Sequence, residues 1–335
     1  MTVKVSKPAL NLREKLSELD TPTGIAGEAM LRAETPQEQF NLIGAGRRNI
    51  LINGDFQVSQ RGDYTSATSA SSGYYLDRWK LNRATVTGNL THDTTERSLK
   101  LDATSAGTGR LAFFQQVEDK NYLPFKGKTM TISAWVKSST PNANIYLYNG
   151  SGYTACSTSH SGSGQWEYLT ATGVASATAS SFEVSFGLIS GTGGTVSIAS
   201  GDYIEAKEVQ LELGKVATPF EHRSYGEELA LCQRYYWRSA SAAYTYLGSG
   251  LITNSSLGLV PIFFPQTMRT TPTCSASGSF GLLQTNTLSA SLAFTEGSQQ
   301  SIRANVTVSG ATAGRACLLR TENSTAAYID ADAEL

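Results

Sequence analysis

The sequence predicts a mainly β protein: a short helical N-terminal segment, a jelly-roll β-sandwich, and a C-terminal β-sandwich domain preceded by a helix. Only 16% of residues are charged, against about 25% in an average soluble protein, whereas Gly 31 and Tyr 15 are abundant. Segments such as Thr129–Val136 alternate polar and apolar residues, as half-buried strands do. The 335 residues exceed one ordinary domain. These observations favour two β-domains and an extension.

Residues 1–48 form the predicted helical segment. Leucines recur at helical spacing within residues 11–19, and Thr35–Glu38 has the pattern of a capping box with proline at the first helical position. Two short helices cannot enclose a core of their own, so their apolar side chains need another surface: the following domain, sister subunits or a separate protein. A flexible tail is the alternative. The side chains expected to make this attachment are Leu12, Leu16, Leu19, Phe40, Leu42 and Ile43.

Residues 49–222 contain many short runs with the period-two pattern of strands. Besides Thr129–Val136, the pattern predicts strands at residues 49–54, 145–148, 182–186 and 203–213. Turn residues such as Asn149-Gly150 separate these runs. Short strands at this spacing predict an antiparallel sandwich of the jelly-roll type.

Residues 223–335 form the predicted C-terminal β-domain. A helix is predicted at residues 226–236, because acidic residues lie in its first turn and a base follows. The β pattern then returns in Ser-, Thr- and Ala-rich stretches up to residue 335. The sequence shows no clean tandem repeat.

Charge and hydropathy exclude several classes of partner. The net charge is −1 and no long basic run exists, so nucleic acid is not expected as a partner. No apolar stretch reaches the ~20 residues of a membrane-spanning helix. The N-terminal residues lack an apolar signal-peptide core, which predicts synthesis in a cytoplasm.

The four cysteines are expected to be buried or half-buried apolar residues. Cys156, Cys232, Cys274 and Cys317 are far apart and show no paired spacing for zinc. Synthesis in a cytoplasm also argues against a disulfide framework.

Three groups of motifs resemble a family of bacteriophage tail-fibre and receptor-binding proteins that carry a carbohydrate-binding-like jelly-roll domain. The first group is residues 42–56, Gln60-Arg61-Gly62 and Asp77-Arg78-Trp79; the second is Val209–Gly214, Ala217–Glu221 and Leu231–Tyr236; the third is Tyr328–Leu335. Together they span most of the chain in the expected order. The resemblance implies a non-enzymatic virion protein, usually a homotrimer, that binds a host surface glycan. Residues 1–48 would attach it to other virion tail proteins.

The resemblance also implies a structural calcium ion. Related jelly rolls tie their first and last strands with calcium, which matches Asn53 and Asp55 in the turn and Glu208 near the last strand. Carboxylates and carbonyl oxygens are the ligands that calcium prefers. However, Lys207 precedes Glu208 where the family has an acidic pair, and an Asx turn at Asn53 needs no ion. No other cofactor is expected.

Aromatic side chains are the candidates for glycan contact, because sugars bind flat ring faces beside polar groups. Tyr146 and Tyr148 share one face of a predicted strand. Each candidate also has an alternative as a core or subunit-packing residue. The full set is Tyr74, Tyr75, Tyr146, Tyr148, Tyr153 and Trp166.

Five other aromatic residues and one histidine are expected to be structural. Trp79 and Trp135 are assigned to the core. Tyr235 and Tyr236 are placed on the predicted helix, packed against a neighbour, as is the following Trp237. His160, in a Gly- and Ser-rich turn, is interpreted as a surface loop residue.

No catalytic residue is predicted. Neighbouring acids such as Glu118 and Asp119 face different directions on a regular element, and the sequence cannot place two carboxylates across a cleft. Two alternatives to a receptor-binding fibre stay open. One is a tail nozzle, collar or head-decoration protein without receptor contact; the other is a glycan-depolymerising tailspike.

Overall fold

A computed structural model describes residues 48–335 except 149–152, 180, 192–193, 240 and 324–325. The predicted attachment residues between Leu12 and Ile43 therefore lie outside the described residues. Within the described part, strands dominate and helices are short and few. The prediction of a mainly β chain containing a β-sandwich is confirmed.

Two antiparallel sheets pack face to face to form the first domain. Its strands are β1 (Thr68–Ala70), β2 (Gly73–Tyr74), β3 (Lys80–Ala84), β4 (Gly88–Asp93), β5 (Ser98–Ala103), β6 (Gly107–Val117), β7 (Thr129–Ser138), β8 (Ala143–Tyr148), β9 (Tyr153–Cys156), β10 (Trp166–Val174), β11 (Phe182–Leu188), β12 (Val196–Ile198) and β13 (Tyr203–Leu213). One sheet has the order β1-β4-β5-β13-β7-β10 and is called sheet A. The other, β2-β3-β6-β11-β8-β9 with β12 on β6, is called sheet B. A short helix α1 (Asp119–Tyr122) and a 3-10 turn (Leu123–Phe125) connect β6 to β7.

The period-two pattern explains why these segments pair in this register. In β7, Met130, Ile132, Ala134 and Val136 point into the space between the sheets and are fully or almost fully buried. The strand β13 extends from Tyr203 to Leu213, as the sequence predicts, with a bulge between Lys207 and Gln210. The buried faces of sheets A and B form one continuous core.

Residues 49–54 do not form the predicted strand. Asn53 adopts a left-handed conformation with φ 59°. Its side chain accepts a hydrogen bond from the backbone N–H of Val58 at 2.9 Å and donates to the carbonyl oxygen of Val58 at 2.8 Å. Local bonds between a side chain and the backbone compete with a strand ladder. The segment is therefore a turn.

A helix opens the second part of the chain. Helix α2 (Tyr225–Gln233) ends three residues before the predicted boundary at 236. Its N-cap, Ser224, forms a capping box with Glu227.

A six-stranded barrel forms most of the second domain. The strands that follow α2 are β14 (Tyr236–Arg238), β15 (Tyr246–Asn254), β16 (Leu257–Phe263), β17 (Thr273–Ser277), β18 (Phe280–Leu283), β19 (Thr287–Thr295), β20 (Ser301–Thr307), β21 (Ala316–Thr321) and β22 (Tyr328–Asp332). The barrel has the order β15-β16-β20-β19-β18-β21, and β14, β22 and β17 form a small separate sheet. The predicted C-terminal β-domain is thus built around a closed barrel instead of two open sheets. Alternating apolar residues such as Val260, Ile262 and Ala304 fill its interior.

The two domains meet in a joint that the motif residues build. Gln60 donates to both carboxylate oxygens of Asp77, through its backbone N–H and its side-chain amide, each at 2.7 Å; the amide also donates to the carbonyl oxygen of Tyr236 at 2.8 Å. The guanidinium of Arg61 lies over the Tyr236 ring, 3.6 Å from its centroid. Arg61 also pairs with Asp332 at 3.1 Å. Residues distant in sequence therefore converge on one buried polar network.

Candidate functional site

The outer face of sheet B carries a groove of about 220 Å³. Strands β3, β6, β11 and β8 lie side by side there, and alternate residues of each point away from the core. The groove is lined by Asn82, Arg110, Ala112, Phe114, Tyr146, Tyr148, Glu183 and Ser185.

Small residues of the central strands form the floor of this groove. In β11, Ser185 is 1% exposed and is paired with Phe114 on one side and Tyr146 on the other. Ala112 of β6 is 3% exposed and lies opposite Gly187. Because short side chains lie between larger aromatic ones, the sheet surface is hollow along β11.

Aromatic rings form the walls. The side chains of Phe114, Tyr146 and Tyr148 are each half-buried, so part of each ring faces solvent. Rings of this kind offer a large apolar surface at low cost in conformational entropy, and tyrosine adds a hydroxyl group that can form hydrogen bonds.

Polar groups surround the rings. Arg110 Nε donates to Asn82 Oδ1 at 3.2 Å. Burial raises the pKa of the Glu183 carboxyl, and the nearby Lys80 ammonium opposes that rise. The groove thus combines amide, guanidinium and carboxyl groups with aromatic surface. Such a surface suits a ligand with an apolar face and many hydroxyl groups.

Of the predicted glycan-contacting residues whose side chains the structure describes, Tyr146 and Tyr148 line this groove and Tyr74, Tyr75 and Trp166 do not. The Tyr74 hydroxyl donates to the carbonyl oxygen of Leu335 at 2.6 Å, and burial raises the pKa of Tyr74. The Tyr75 ring packs edge-on against Tyr64, with centroids 5.5 Å apart. Both residues therefore belong to packing contacts outside the groove.

Trp166 lies on the other sheet. Trp166 begins β10 of sheet A and points from the opposite face of the sandwich. Tyr153 lies in β9 beside Tyr148, and its side chain is outside the described residues.

Besides the floor residues Ala112 and Ser185, four groove residues were not singled out from the sequence: Asn82, Arg110, Phe114 and Glu183. Phe113 and Phe114 are adjacent in β6, so one must point inward and the other outward. That alternation was a usable signal for an outward ring at Phe114. The three polar residues carry no such signal, because their position depends on which strands become neighbours.

Two of the three predicted calcium ligands, Asn53 and Asp55, are engaged with protein groups. The Asn53 amide bonds to Val58 and also donates to the carbonyl oxygen of Asp77 at 3.0 Å. The Asp55 carboxylate pairs with Arg97 at 3.1 Å. Among the described residues, no group of three or more His, Cys, Asp or Glu side chains could hold a metal ion. The Arg97 guanidinium competes with a cation for the Asp55 carboxylate in this arrangement, and calcium binding stays a prediction.

Two structural assignments were wrong. Trp135 is 37% exposed, since β7 directs it to the outer face of sheet A, where it contacts the Tyr168 ring with centroids 5.2 Å apart. His160 is 1% exposed, and its Nδ1 accepts from the backbone N–H of Gly162 at 2.8 Å. A turn sequence predicted a surface position for His160, but the ring folds back over its own turn. The assignment of Trp79 to the core is confirmed.

The aromatic residues after α2 also differ from the prediction. Tyr235 follows the helix, whereas Tyr236 and Trp237 belong to strand β14. Tyr235 and Tyr236 are buried within the chain. The guanidinium of Arg78 lies over the Tyr235 ring, with Cζ 3.7 Å from the ring centroid. Their partners are arginines of the first domain.

The cysteines whose side chains are described match their expected environments. Cys232 and Cys317 are buried, Cys274 is half-buried, and all three are free thiols. Burial raises the pKa of the Cys274 thiol to about 11, so it stays protonated near neutral pH. The side chain of Cys156 lies outside the described residues.

Among the described residues, no helix is long and apolar enough to cross a membrane. No protein-family model matches the chain, and no curated protein matches it.

Several solved structures are similar to parts of the chain. A CBM4 structure aligns over 48% of this chain and 98% of its own length, with 18% identity and a TM-score of 0.31. A provisional sugar binding protein from Bacteroides thetaiotaomicron aligns over 50% of this chain and 100% of its own, with 11% identity and a TM-score of 0.32. The binding domain of Botulinum neurotoxin DC, in complex with rat synaptotagmin II, covers 82% of this chain and 100% of its own, with 9% identity and a TM-score of 0.25. These low TM-scores assign neither a family nor a ligand to this chain.

Proposed function

We propose that this protein is a non-catalytic glycan-binding subunit whose binding site is the groove on sheet B. The observation that carries the proposal is the hollow along β11, where Tyr146 and Phe114 flank the small residue Ser185. A sugar ring has a flat apolar face and a polar rim. The groove offers aromatic surface for the face and the side chains of Asn82 and Glu183 for the rim.

The proposal extends to a bacteriophage tail fibre, in which the chain is a homotrimer that binds a host surface glycan. The motif resemblance supports this extension, and members of its three groups, among them Gln60, Tyr236 and Asp332, meet in the joint between the domains. Attachment to other virion tail proteins is assigned to residues 1–48, and synthesis to the host cytoplasm. Three copies would strengthen weak binding to individual sugars by avidity.

Binding to purified host surface polysaccharide tests the groove. Tyr148→Ala and Tyr146→Ala should each weaken binding about tenfold, the loss expected when a ring contact worth about 1.4 kcal/mol is removed. Tyr168→Ala is the matched control, because Tyr168 is an exposed tyrosine on the opposite sheet. Unchanged binding by both groove variants would remove this site from consideration.

Three further measurements test the wider role. Light scattering of the full chain should give the mass of a trimer, and a stable monomer would contradict the fibre assembly. Deleting residues 1–47 should leave folded β-domains that no longer enter virions. Release of oligosaccharides from the polysaccharide would instead identify a depolymerase.

A further inference from the structure

Sheet A carries a second and larger cleft on the opposite side of the sandwich. Its volume is about 600 Å³, and it crosses strands β4, β5, β13, β7 and β10. The register places Trp166 opposite Lys137, Lys137 opposite Glu205, and Glu205 opposite Lys100. Aromatic and charged side chains therefore form a continuous row across the sheet.

Two aromatic rings hold the ammonium groups of this cleft in place. Lys207 and Lys137 lie over the Trp166 ring, with Nζ 4.6 and 5.8 Å from the ring centroid. Lys100 lies over the Tyr203 ring at 4.7 Å. Cation–π contacts of this kind restrict the lysine side chains, so their ammonium groups are positioned donors.

Each ammonium group has an acidic neighbour. Lys207 pairs with Glu96 at 2.7 Å, and Lys100 pairs with Asp102 at 2.6 Å. The charges of these pairs cancel. Asp93, which also lines the cleft, adds one further negative charge. An anionic ligand would therefore gain no net attraction here.

The third pair is open. Lys137 Nζ and Glu205 Oε2 are 3.8 Å apart, which is beyond hydrogen-bond distance. The other Glu205 oxygen accepts from Ser98 Oγ at 2.5 Å, which fixes the carboxylate. A hydroxyl group placed between the two can accept a hydrogen bond from the ammonium and donate one to the carboxylate. Neighbouring hydroxyls of a sugar satisfy a donor and an acceptor in the same way.

We propose that this cleft is a second ligand site and that its ligand is a neutral sugar residue, held through its hydroxyl groups by Lys137 and Glu205 beside Trp166. The two faces of a sandwich are separated by the full thickness of two sheets packed about 10 Å apart. One sugar residue cannot contact both sites. The domain would therefore bind two glycan segments, one on each face.

Fluorine NMR of the full chain labelled with 5-fluorotryptophan tests this site directly. The chain has 4 tryptophans, and Trp166→Phe assigns the resonance of interest. Glucose, galactose, mannose and N-acetylglucosamine are titrated separately, with glucuronate as the anionic probe. At least one neutral sugar should shift the Trp166 resonance to saturation. The resonances of Trp79, buried in the core, and Trp237, packed against Phe264, should not move.

Two variants connect the response to the open pair. Glu205→Gln and Lys137→Met should each weaken the Trp166 response about tenfold, because each removes a charge-assisted hydrogen bond. Tyr148→Ala, on the other face, should leave it unchanged, so failure of the sheet B groove and failure of this site are separate outcomes. The proposal is overturned if no neutral sugar shifts Trp166, or if glucuronate shifts it at lower concentration than every neutral sugar.

Discussion

Arg78 and Glu334 form an ion pair inside the protein, where their side chains are 2% and 3% exposed. The backbone N–H of Arg78 also donates to Glu334 at 3.2 Å, across 256 residues of sequence. On its other side the guanidinium lies against the Tyr235 ring. This pair joins the first sandwich to the end of the chain, and the motif resemblance is concentrated around it. Those motifs therefore mark a structural joint and lie apart from both proposed ligand sites.

Neutralising this pair should destabilise the protein strongly. Glu334→Gln leaves the Arg78 guanidinium buried without its counter-charge, so we expect the free energy of unfolding to fall by about 3 kcal/mol. Urea denaturation measures the loss. Glu296→Gln is the matched control, since its pair with Arg303 is largely exposed and should contribute under about 1 kcal/mol. Equal effects of the two substitutions would contradict a structural role for the buried pair.

Asp77 should make the stability depend on pH in an unusual direction. Burial raises the pKa of Asp77 from 3.8 to about 6, while hydrogen bonds from Gln60 oppose the rise. Between these values the folded protein binds more protons than the unfolded chain. The contribution of Asp77 to the free energy of unfolding is therefore present below about pH 4 and is lost as the pH rises to about 6. At about 1.36 kcal/mol per pKa unit, the free energy of unfolding falls by roughly 3 kcal/mol over this range.

Asp77→Asn removes this titration, so the difference between wild-type and variant stability isolates it. Urea unfolding across pH 4 to 7 should give a difference that changes with pH up to about 6 and is constant above. Parallel pH profiles for the two proteins would show that Asp77 titrates normally.

A methyl group in the floor beside the sheet B groove should not be tolerated. A Cβ atom at Gly187 would collide with Ala112 and lie 2.6 Å from the carbonyl oxygen of Leu111. Gly187→Ala should therefore cost about 1–3 kcal/mol and weaken glycan binding. Gly226→Ala is the control: nothing lies within 4 Å, and alanine in a helix should stabilise by about 0.5 kcal/mol. Thermal denaturation distinguishes the two substitutions.

Trp79 and Trp135 should differ in their contribution to stability. Trp79 is fully buried and its indole N–H donates to the carbonyl oxygen of Asn53 at 2.8 Å, so Trp79→Ala should cost about 3–5 kcal/mol. Trp135 lies on the outer face of sheet A, and Trp135→Ala should cost under about 1 kcal/mol. Chemical denaturation of both variants checks this, and a larger loss for Trp135 would place it in a core.

Period-two patterns were sufficient to predict strands β7, β8, β11 and β13 of the first domain, because one buried face imposes alternation. Strand β13 shows this best, since its predicted and observed bounds agree. The pattern wrongly predicted a strand at residues 49–54, because the Asn53 side chain bonds to the backbone of Val58 and holds this segment in a turn. It also left the face of Trp135 undecided, because an outward tryptophan in a strand looks like an inward one until the register is known.

The groove was predictable only in part for a similar reason. Tyr146 and Tyr148 follow from alternation within one strand. Asn82 and Glu183 become their neighbours only through the order of strands in sheet B, which brings together residues about 100 positions apart in sequence. The open pair of Lys137 and Glu205 depends in the same way on β13 lying beside β7. Sequence separation of this size leaves no local pattern.

The Arg78–Glu334 contact also has a consequence for the order of folding. During synthesis Arg78 leaves the ribosome long before Glu334 exists, so the sandwich forms while this guanidinium still lacks its counter-charge. Closing a contact across 256 residues is slow compared with forming neighbouring strands. The joint should therefore form late, and a chain interrupted before Asp332 would leave Arg61 and Arg78 without their acidic partners Asp332 and Glu334.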